Sequence, residues 1–206
     1  FIVYKGETRT HCISVGLLEK LNYSLDLATG SLLQFWSGDF LNTTQMWHSR
    51  GERQTSESIG YTLTSHGELD FAFLQNKDDE WPKKLNKNID LKSLGYTFNN
   101  KQIPEFSFKI NDAEISNSFT ASTSEKRGLN RIIAINTQTP FWHKIADGNS
   151  INKLDNNTYI INNESYYINF SENENLKPII RTNHGKDELL VEIPKGAQKI
   201  NYTIIW

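Results

Sequence analysis

Apolar and polar residues alternate in short runs along most of the chain, and turn residues separate the runs. Such alternation places every second side chain on one face of an extended strand, so it predicts β-strands rather than helices. Residues 21–26 and 31–36 flank the turn Ala28-Thr29-Gly30 and predict a hairpin. Residues 94–98 and 106–110 predict a second strand pair, and the apolar run 131–135 predicts a buried strand.

Strand-like runs continue to both ends of the chain, while helical signals are few. The further predicted strands are 1–5, 11–15, 60–64, 113–116, 158–162, 165–170, 179–181, 188–193 and 199–206. We expect one helical turn at 17–21, a short helix within 38–48, and loops at 76–88 and 147–157. The pattern therefore predicts an all-β fold, a large two-sheet antiparallel β-sandwich of the super-sandwich kind with few short helices. With 206 residues, a single sandwich domain over 1–206 is expected.

Both ends of the sequence resemble the middle of strands. Phe1 to Tyr4 is apolar and β-branched, with no initiator Met, no basic segment and no apolar leader. Tyr202 to Trp206 is strand-like and stops abruptly. We therefore expect the chain to be a piece of a longer polypeptide or a processed product.

Composition and charge exclude several classes of function. The chain carries 22 basic and 24 acidic side chains, a net charge of −2, so no basic excess draws it onto nucleic-acid phosphates. It contains no run of about 18 apolar residues, so we expect no transmembrane segment. Cys12 is the single cysteine, which excludes an internal disulfide framework and a cysteine-based zinc or haem site.

Motifs for metal binding and catalysis are also missing from the sequence. The histidines have no spacing typical of a zinc site, and the stretch 147–155 lacks the residue order of a calcium loop. No nucleophile elbow, P-loop or dinucleotide-binding glycine motif occurs. We therefore expect no metal, no cofactor and no catalytic residue in this domain.

Candidate ligand-binding residues gather between positions 35 and 51. They are Trp36, Asp39, Trp47, His48 and Arg50. Aromatic rings can stack on the apolar faces of sugars, and charged side chains can hydrogen-bond to sugar hydroxyls. The alternative is that Trp36 packs in the core and Arg50 makes a structural ion pair.

Four more candidates lie further along the chain. Trp142 and His143 either line the same pocket or cap the sandwich. Arg131 begins an apolar strand, so its charge needs a partner or contact with solvent. Glu105 precedes an alternating strand and is placed to face a cleft.

Several sequence motifs follow one another in a recognisable order. They are His11-Cys12-Ile13-Ser14-Val15-Gly16-Leu17, Leu21 to Asp26, Phe35 to Leu41, Trp47 to Gly51, Gly95-Tyr96 and Pro104 to Phe108. In this order they resemble an uncharacterised β-rich domain family of large exported bacterial proteins. The resemblance covers roughly the first 135 residues, with nothing recognised beyond Arg131, and departs from the family at Leu18-Glu19-Lys20, where proline and glycine are usual.

In those proteins the domain adjoins c-type cytochrome modules and sugar-dehydrogenase-like propellers. The resemblance therefore implies an exported protein, in the periplasm or at the cell surface, with redox or carbohydrate machinery beside it. It supplies no catalytic residues, and this chain has no motif that could attach a c-type haem.

Three hypotheses about function follow. In the first, the chain is a non-catalytic module of an exported multidomain bacterial protein, and it binds glycan or docks to other modules of a redox or carbohydrate-processing assembly. In the second, it is a sugar-active enzyme domain that uses His48, Glu105 or His143 as acid and base. In the third, it is a structural subunit of a membrane-associated complex, which requires a large flat apolar interface.

Overall fold

The computed structural model describes residues 1–48, 54–85, 89–122, 127–155, 157–170 and 176–206. Its backbone contacts divide the chain into two compact units, Phe1–Gly67 (unit 1) and Glu68–Trp206 (unit 2). The single domain expected over 1–206 stays a prediction. No helix in the described ranges is long and apolar enough to cross a membrane.

Unit 1 is built mainly from antiparallel strands. Its described elements are β1 (Ile2–Tyr4), β2 (Glu7–Arg9), β3 (Cys12–Gly16), β4 (Leu21–Asp26), β5 (Ser31–Asn42), α1 (Thr44–His48) and β6 (Glu57–Thr64). Strands β1 and β2 pair with each other, and β3, β4, β5 and β6 form a four-stranded sheet in chain order. The hairpin predicted from residues 21–26 and 31–36 is confirmed as β4 and β5.

The short helix expected within 38–48 is only the five residues of α1. Strand β5 continues to Asn42 because its second half pairs with β6, with a bulge between Asp39 and Leu41. Both faces of β4 and of the first half of β5 are buried, and Tyr23, Phe35 and Trp36 are the largest side chains there.

Unit 2 contains the remaining strands. They are β7 (Phe71–Ala72), β8 (Leu91–Phe98), β9 (Pro104–Ile110), β10 (Ala113–Ala121), β11 (Gly128–Thr137), β12 (Phe141–Gly148), β13 (Ile151–Lys153), β14 (Thr158–Ile161), β15 (Tyr166–Phe170), β16 (Ile179–Asn183), β17 (Lys186–Ile193) and β18 (Gly196–Ile205). An eight-stranded sheet has the order β13-β14-β15-β18-β11-β10-β9-β8, and a four-stranded sheet has the order β16-β17-β12-β7. All of these pairs are antiparallel.

The two sheets of unit 2 pack face to face. His143 on β12 of the smaller sheet contacts Tyr202 on β18 of the larger one, with 3.2 Å between Nε2 and the hydroxyl oxygen. Burial alternates along β9, β10 and β11, so one face of the larger sheet lies in the core and the other, here called the outer face, does not. The predicted all-β fold with antiparallel sheets packed as a sandwich is confirmed.

Three parts of unit 2 differ from the expectation, the first being β7, where no strand was predicted. Strand β12 was not predicted, and the loop expected at 147–157 contains the end of β12 and all of β13. A bulge between Lys144 and Ala146 interrupts the alternation of β12, and the polar residues His143 and Lys144 are buried in it. Because of these two features, the alternation of apolar residues does not predict β12.

Candidate functional site

An open groove of about 540 Å³ crosses the larger sheet of unit 2. Its lining residues are Leu94, Ser107, Phe108, Glu114, Ile115, Ser116, Ala134, Ile135, Asn136, Ala197 and Gln198. They come from β8, β9, β10, β11 and β18, which are neighbours in the sheet. The volume falls within the range of about 300–1,000 Å³ that small-molecule sites occupy.

The strand register explains the shape of the groove. One row of paired residues across the strands is Ala134, Ser116 and Ser107. A second row, two positions further along the strands, is Ala197, Asn136 and Glu114. Both rows lie on the outer face, because successive side chains of a strand alternate between faces and Ile135, Ile115 and Phe108 between the rows are buried.

The intervening residues Gln198, Ile135, Ile115 and Phe108 also pair in register. Their side chains alternate to the opposite face from the two rows, so we assign their backbone to the floor of the groove. Apart from Glu114 the walls are short side chains, and the groove runs across the strands rather than along them.

Leu94 lies at the end of the groove on β8, the edge strand of the sheet. The pairing of β8 with β9 shifts between Ser93 and Gly95, so Leu94 is the extra residue of a β-bulge. A bulge re-aims a side chain that regular alternation would place elsewhere. Leu94 is 60% exposed and supplies an apolar surface at this end.

Glu105 acts on the groove through a neighbour. Ser116 donates a hydrogen bond of 2.6 Å from its hydroxyl to the Glu105 carboxylate. Ser116 lines the groove and Glu105 does not, so the carboxylate fixes the orientation of a hydroxyl in the wall. Glu105 is therefore a positioning residue at this surface.

Side chains of the groove can bind a ligand rich in hydroxyl groups. The Glu114 carboxylate accepts hydrogen bonds, and the Asn136 amide and the Ser107 hydroxyl both donate and accept. The Ser116 hydroxyl donates its proton to Glu105, so it can accept from a ligand. Leu94, Ala134 and Ala197 can contact the C–H groups of the same ligand. This combination of apolar surface and a few polar groups is typical of binding sites.

The predicted segment 35–51 has a different environment in unit 1. Trp36 is fully buried, stacks on Phe40 with ring centroids 6.3 Å apart, and donates its indole N–H to the carbonyls of Asp39 and Phe40. Trp36 thus lies in the core, as the alternative interpretation had it. The Asp39 carboxylate is exposed and pairs with Lys20 at 3.1 Å.

Trp47 and His48 lie on α1 and are exposed, Trp47 to 79%. Such exposure is unusual for tryptophan, whose apolar ring is highly buried on average. Arg50 lies outside the described residues. Of the candidates in segment 35–51, Trp47 and His48 are therefore accessible to a ligand, while Trp36 is buried in the core.

Arg131 and His143 are brought together inside unit 2. Arg131 donates to Asp70 at 2.5 Å, to Asn117 at 3.1 Å and to the Tyr202 hydroxyl at 3.0 Å. His143 contacts the Asp70 carbonyl at 2.9 Å through Nδ1 and the Tyr202 hydroxyl at 3.2 Å through Nε2. A carbonyl oxygen can only accept, so Nδ1 carries the proton and Nε2 accepts from Tyr202.

Electrostatics keep this network in one protonation state. Burial, followed by the positive charge of Arg131, lowers the pKa of His143 to about 3, so the ring is neutral near pH 7. Burial also raises the pKa of Tyr202 to about 12, so its phenol stays protonated. The charge of Arg131 has Asp70 as its partner, and the network binds the two sheets together rather than facing a ligand.

Trp142 belongs to a neighbouring cluster on the other face of the smaller sheet. It packs, half-buried, against the buried residues Ala72, Trp81 and Leu190. Lys144 lies beside this cluster, with its ammonium 4.9 Å from the Trp81 ring centroid, 2.7 Å from Glu68 and 2.6 Å from Glu188.

Arg181 also pairs with Glu188, at 2.7 Å. Burial alone would raise the pKa of Glu188, but the hydrogen bonds and charges of Lys144 and then Arg181 hold it below its ordinary value. A small cavity of about 160 Å³ borders Glu68, Trp81 and Glu188. Its three carboxylates, Glu68, Glu188 and Asp147, already have cationic partners in the protein, so this cluster is a structural network.

The candidate residues do not converge on one pocket. Arg131 and His143 share partners in the core, Trp142 packs on the opposite face of the smaller sheet, and Glu105 lies on the outer face of the larger sheet. Among the described residues, no group of three or more His, Cys, Asp or Glu side chains could hold a metal ion. No protein-family model matches the chain, and no curated protein matches it either.

Sequence reasoning missed most of the groove. Only Glu105 among the predicted residues touches its wall, through Ser116. The two predicted strands 106–110 and 113–116 flank the turn Asn111-Asp112, which already places Ser107 opposite Ser116. The contribution of β18 could not be read from the sequence, because β18 and β11 are far apart in the chain and adjacent in the sheet.

Proposed function

We propose that this protein is a non-catalytic module of an exported multidomain protein, and that it binds glycan in the groove on the outer face of the larger sheet. The observation that carries the proposal is the groove itself. Short side chains leave about 540 Å³ of open space across five strands, beside a carboxylate, an amide and two hydroxyls. Those groups match the hydroxyl groups of a sugar, and Leu94 and Ala134 match its C–H faces.

The positions of the candidate acids and bases support binding rather than catalysis. His143 is buried between the sheets and neutral. Glu105 pairs with Ser118, which lies four positions along β10 from Glu114, so the two carboxylate residues start roughly 13 Å apart at about 3.3 Å per residue. Glycosidases hold their two carboxyl groups about 5–9.5 Å apart.

A direct test is binding of the purified protein to immobilised glycans and to soluble β-glucan, xylan, galactomannan and chitin oligomers. We expect one of these to bind, and we expect Asn136→Ala and Glu114→Gln to weaken binding at least about fivefold, because a hydrogen bond in a site contributes about 1 kcal/mol. Asn130→Ala is the matched control, since Asn130 lies on the same strand and the same face outside the groove.

Two results would contradict the proposal. One is the absence of binding to every glycan tested. The other is binding that Asn136→Ala and Glu114→Gln leave unchanged. The sugar would then bind outside the groove, and the exposed ring of Trp47 would be the next candidate.

The exported setting, in the periplasm or at the cell surface, rests on the resemblance to domains that adjoin cytochrome and sugar-dehydrogenase-like modules. Peptide mapping of the native protein by mass spectrometry, with haem staining of the same band, tests it. We expect peptides that continue beyond Phe1 or Trp206 into a haem-bearing chain. A haem-free native chain with these two ends would contradict this part of the proposal.

Docking to another module of the same assembly is a second candidate function, favoured by the edge strand β8. Tyr96 and Phe98 are both about half exposed there and contact each other edge to face, with ring centroids 5.5 Å apart. Tyr96→Ser and Phe98→Ser should then abolish co-elution with the neighbouring module, while glycan binding in the groove persists. Unchanged co-elution would exclude this strand as the docking surface.

A further inference from the structure

The direction of the groove restricts which glycans fit it. Its two walls are cross-strand rows, Ala134-Ser116-Ser107 on one side and Ala197-Asn136-Glu114 on the other. The groove therefore extends from β18 to β8, perpendicular to the strands. Five neighbouring strands about 4.8 Å apart give it a length of roughly 19 Å.

From this geometry we infer that the groove takes an extended, linear oligosaccharide lying across the strands, rather than a monosaccharide. The inference rests on the proposed function and narrows its ligand class. Polar groups are spread along the length of the groove, with Asn136 on β11, Ser116 and Glu114 on β10, and Ser107 on β9. A single ring would contact one or two of them, whereas a chain contacts all of them.

The end of the groove at β8 is open to a continuing chain. Strand β8 is the edge of the eight-stranded order, so no further strand of that sheet pairs with it among the described residues. Leu94 stands on this edge as the bulged residue, where it offers an apolar contact to the face of a terminal sugar ring. A Cβ atom at Gly95 beside it would meet no atom within 4 Å apart from its own chain neighbours, so the space around this point of the bulge is open.

The inference predicts that affinity depends on chain length. Binding of mono-, di-, tri-, tetra- and hexasaccharides of the glycan identified by the panel is measured by isothermal titration calorimetry with the whole chain. We expect affinity to rise at least about tenfold from the monosaccharide to the tetrasaccharide, and to level off once the ligand fills the groove. A monosaccharide that binds as tightly as the hexasaccharide would overturn the inference while leaving the proposed function intact.

Variants at the two ends of the groove test the direction in which the oligosaccharide lies. Leu94→Ala at the β8 end should weaken tetrasaccharide binding roughly fivefold, and Ala197→Arg at the β18 end should weaken it at least roughly tenfold. Both variants should change disaccharide binding less. A ligand that lies along the strands would be sensitive to only one end, and that result would contradict the inference.

Each end variant has a matched control. Leu154→Ala removes a leucine with the same 60% exposure from the segment between β13 and β14, at the other edge of the sheet. Thr203→Arg adds the same side chain as Ala197→Arg on the same strand and face, outside the groove. We expect both controls to bind the tetrasaccharide like the unmodified protein. If no glycan of any length binds, the proposed function itself fails.

Discussion

The guanidinium of Arg131 lies 2.5 Å from the carboxylate of Asp70, and both side chains are almost completely buried in unit 2. Removing one partner from such a pair leaves the other charge uncompensated in a medium of low polarity. We therefore expect Arg131→Met to lower the free energy of unfolding by about 3–5 kcal/mol, measured by urea unfolding at pH 7.

Two further variants test whether the loss of stability comes from the unpaired buried charge. Replacing both partners, as in Arg131→Met with Asp70→Leu, should cost less than Arg131→Met alone, because no unpaired charge remains. Lys186→Met is the surface control: its ammonium is half-exposed and 3.8 Å from Asp147, so the loss should stay below about 1 kcal/mol. If Lys186→Met and Arg131→Met lowered the free energy of unfolding equally, the prediction that burial makes the Arg131–Asp70 pair costly to break would be wrong.

His143 should make stability depend on pH. Its pKa in the folded protein is about 3, below the ordinary value of 6.5, so the unfolded chain takes up a proton first as the pH falls. The contribution of neutral His143 is therefore complete above about pH 6.5 and is lost progressively towards pH 3. Urea unfolding across this range should show a declining free energy of unfolding.

The variant His143→Phe should flatten that part of the pH profile. It should also lower stability near pH 7 by about 1–3 kcal/mol, because the Tyr202 hydroxyl and the Asp70 carbonyl each lose a buried hydrogen-bond partner. His184→Asn removes an exposed histidine from a position with φ of 48°, which asparagine tolerates, and should keep the original profile. If the free energy of unfolding of His143→Phe still declined steeply between pH 6.5 and pH 3, the pH dependence could not be assigned to His143.

Lys144 should stabilise unit 2 most strongly at neutral pH. Lys144→Met leaves Glu68 and Glu188 without their shared cation, and we expect a loss of about 3–5 kcal/mol at pH 7. The pKa of Glu188 is held below its ordinary value of 4.5, so its contribution exists above that pH and is lost as the pH falls through the folded value. The difference between wild type and variant should therefore narrow below about pH 4.5.

Unfolding curves of wild type and Lys144→Met at pH 7 and at pH 4 test this prediction. Lys92→Met is a suitable control, because the Lys92 ammonium is exposed and pairs with the exposed Asp90 at 3.0 Å. A gap between wild type and Lys144→Met that widens on acidification would contradict the electrostatic role of Lys144.

Gly60 in unit 1 permits a close approach of two strands. It pairs with Gly38 and has φ of 148°, and a Cβ atom there would lie 2.1 Å from the carbonyl oxygen of Ser37. Gly60→Ala should therefore cost more than about 1 kcal/mol of stability, because the backbone of β5 and β6 must separate. Gly185→Ala also has positive φ but meets no atom within 4 Å, so thermal unfolding should show a smaller loss.

Local pattern was sufficient to predict the fold class and the hairpins. The pairing of 94–98 with 106–110 is confirmed, because the turn between the strands is short and the β-bulge lies at Leu94, where the predicted segment begins. Strand β12 escaped prediction because buried His143 and Lys144 look polar in sequence, although each has partners that only the folded chain supplies. Pattern therefore misses a strand whose alternation is broken by a bulge and by buried polar side chains.

The same limit applies to the candidate site. Tryptophan is suited both to a core and to a sugar platform, and the sequence does not distinguish buried Trp36 from exposed Trp47. Short polar residues such as Ser107 and Asn136 are ordinary on any exposed sheet face. They form a groove only because β18 joins β11, a pairing set by tertiary structure.

The place of β18 in the larger sheet also bears on how the chain reaches its native state. This strand lies between β15 and β11, near the middle of the sheet, although it is the latest of the described strands in chain order. Without it, the sheet separates into β13-β14-β15 and β11-β10-β9-β8, each with an unpaired edge prone to association. During synthesis the larger sheet is therefore incomplete until β18 has emerged, and we expect closure of this long loop to make its folding slow compared with proteins dominated by local contacts.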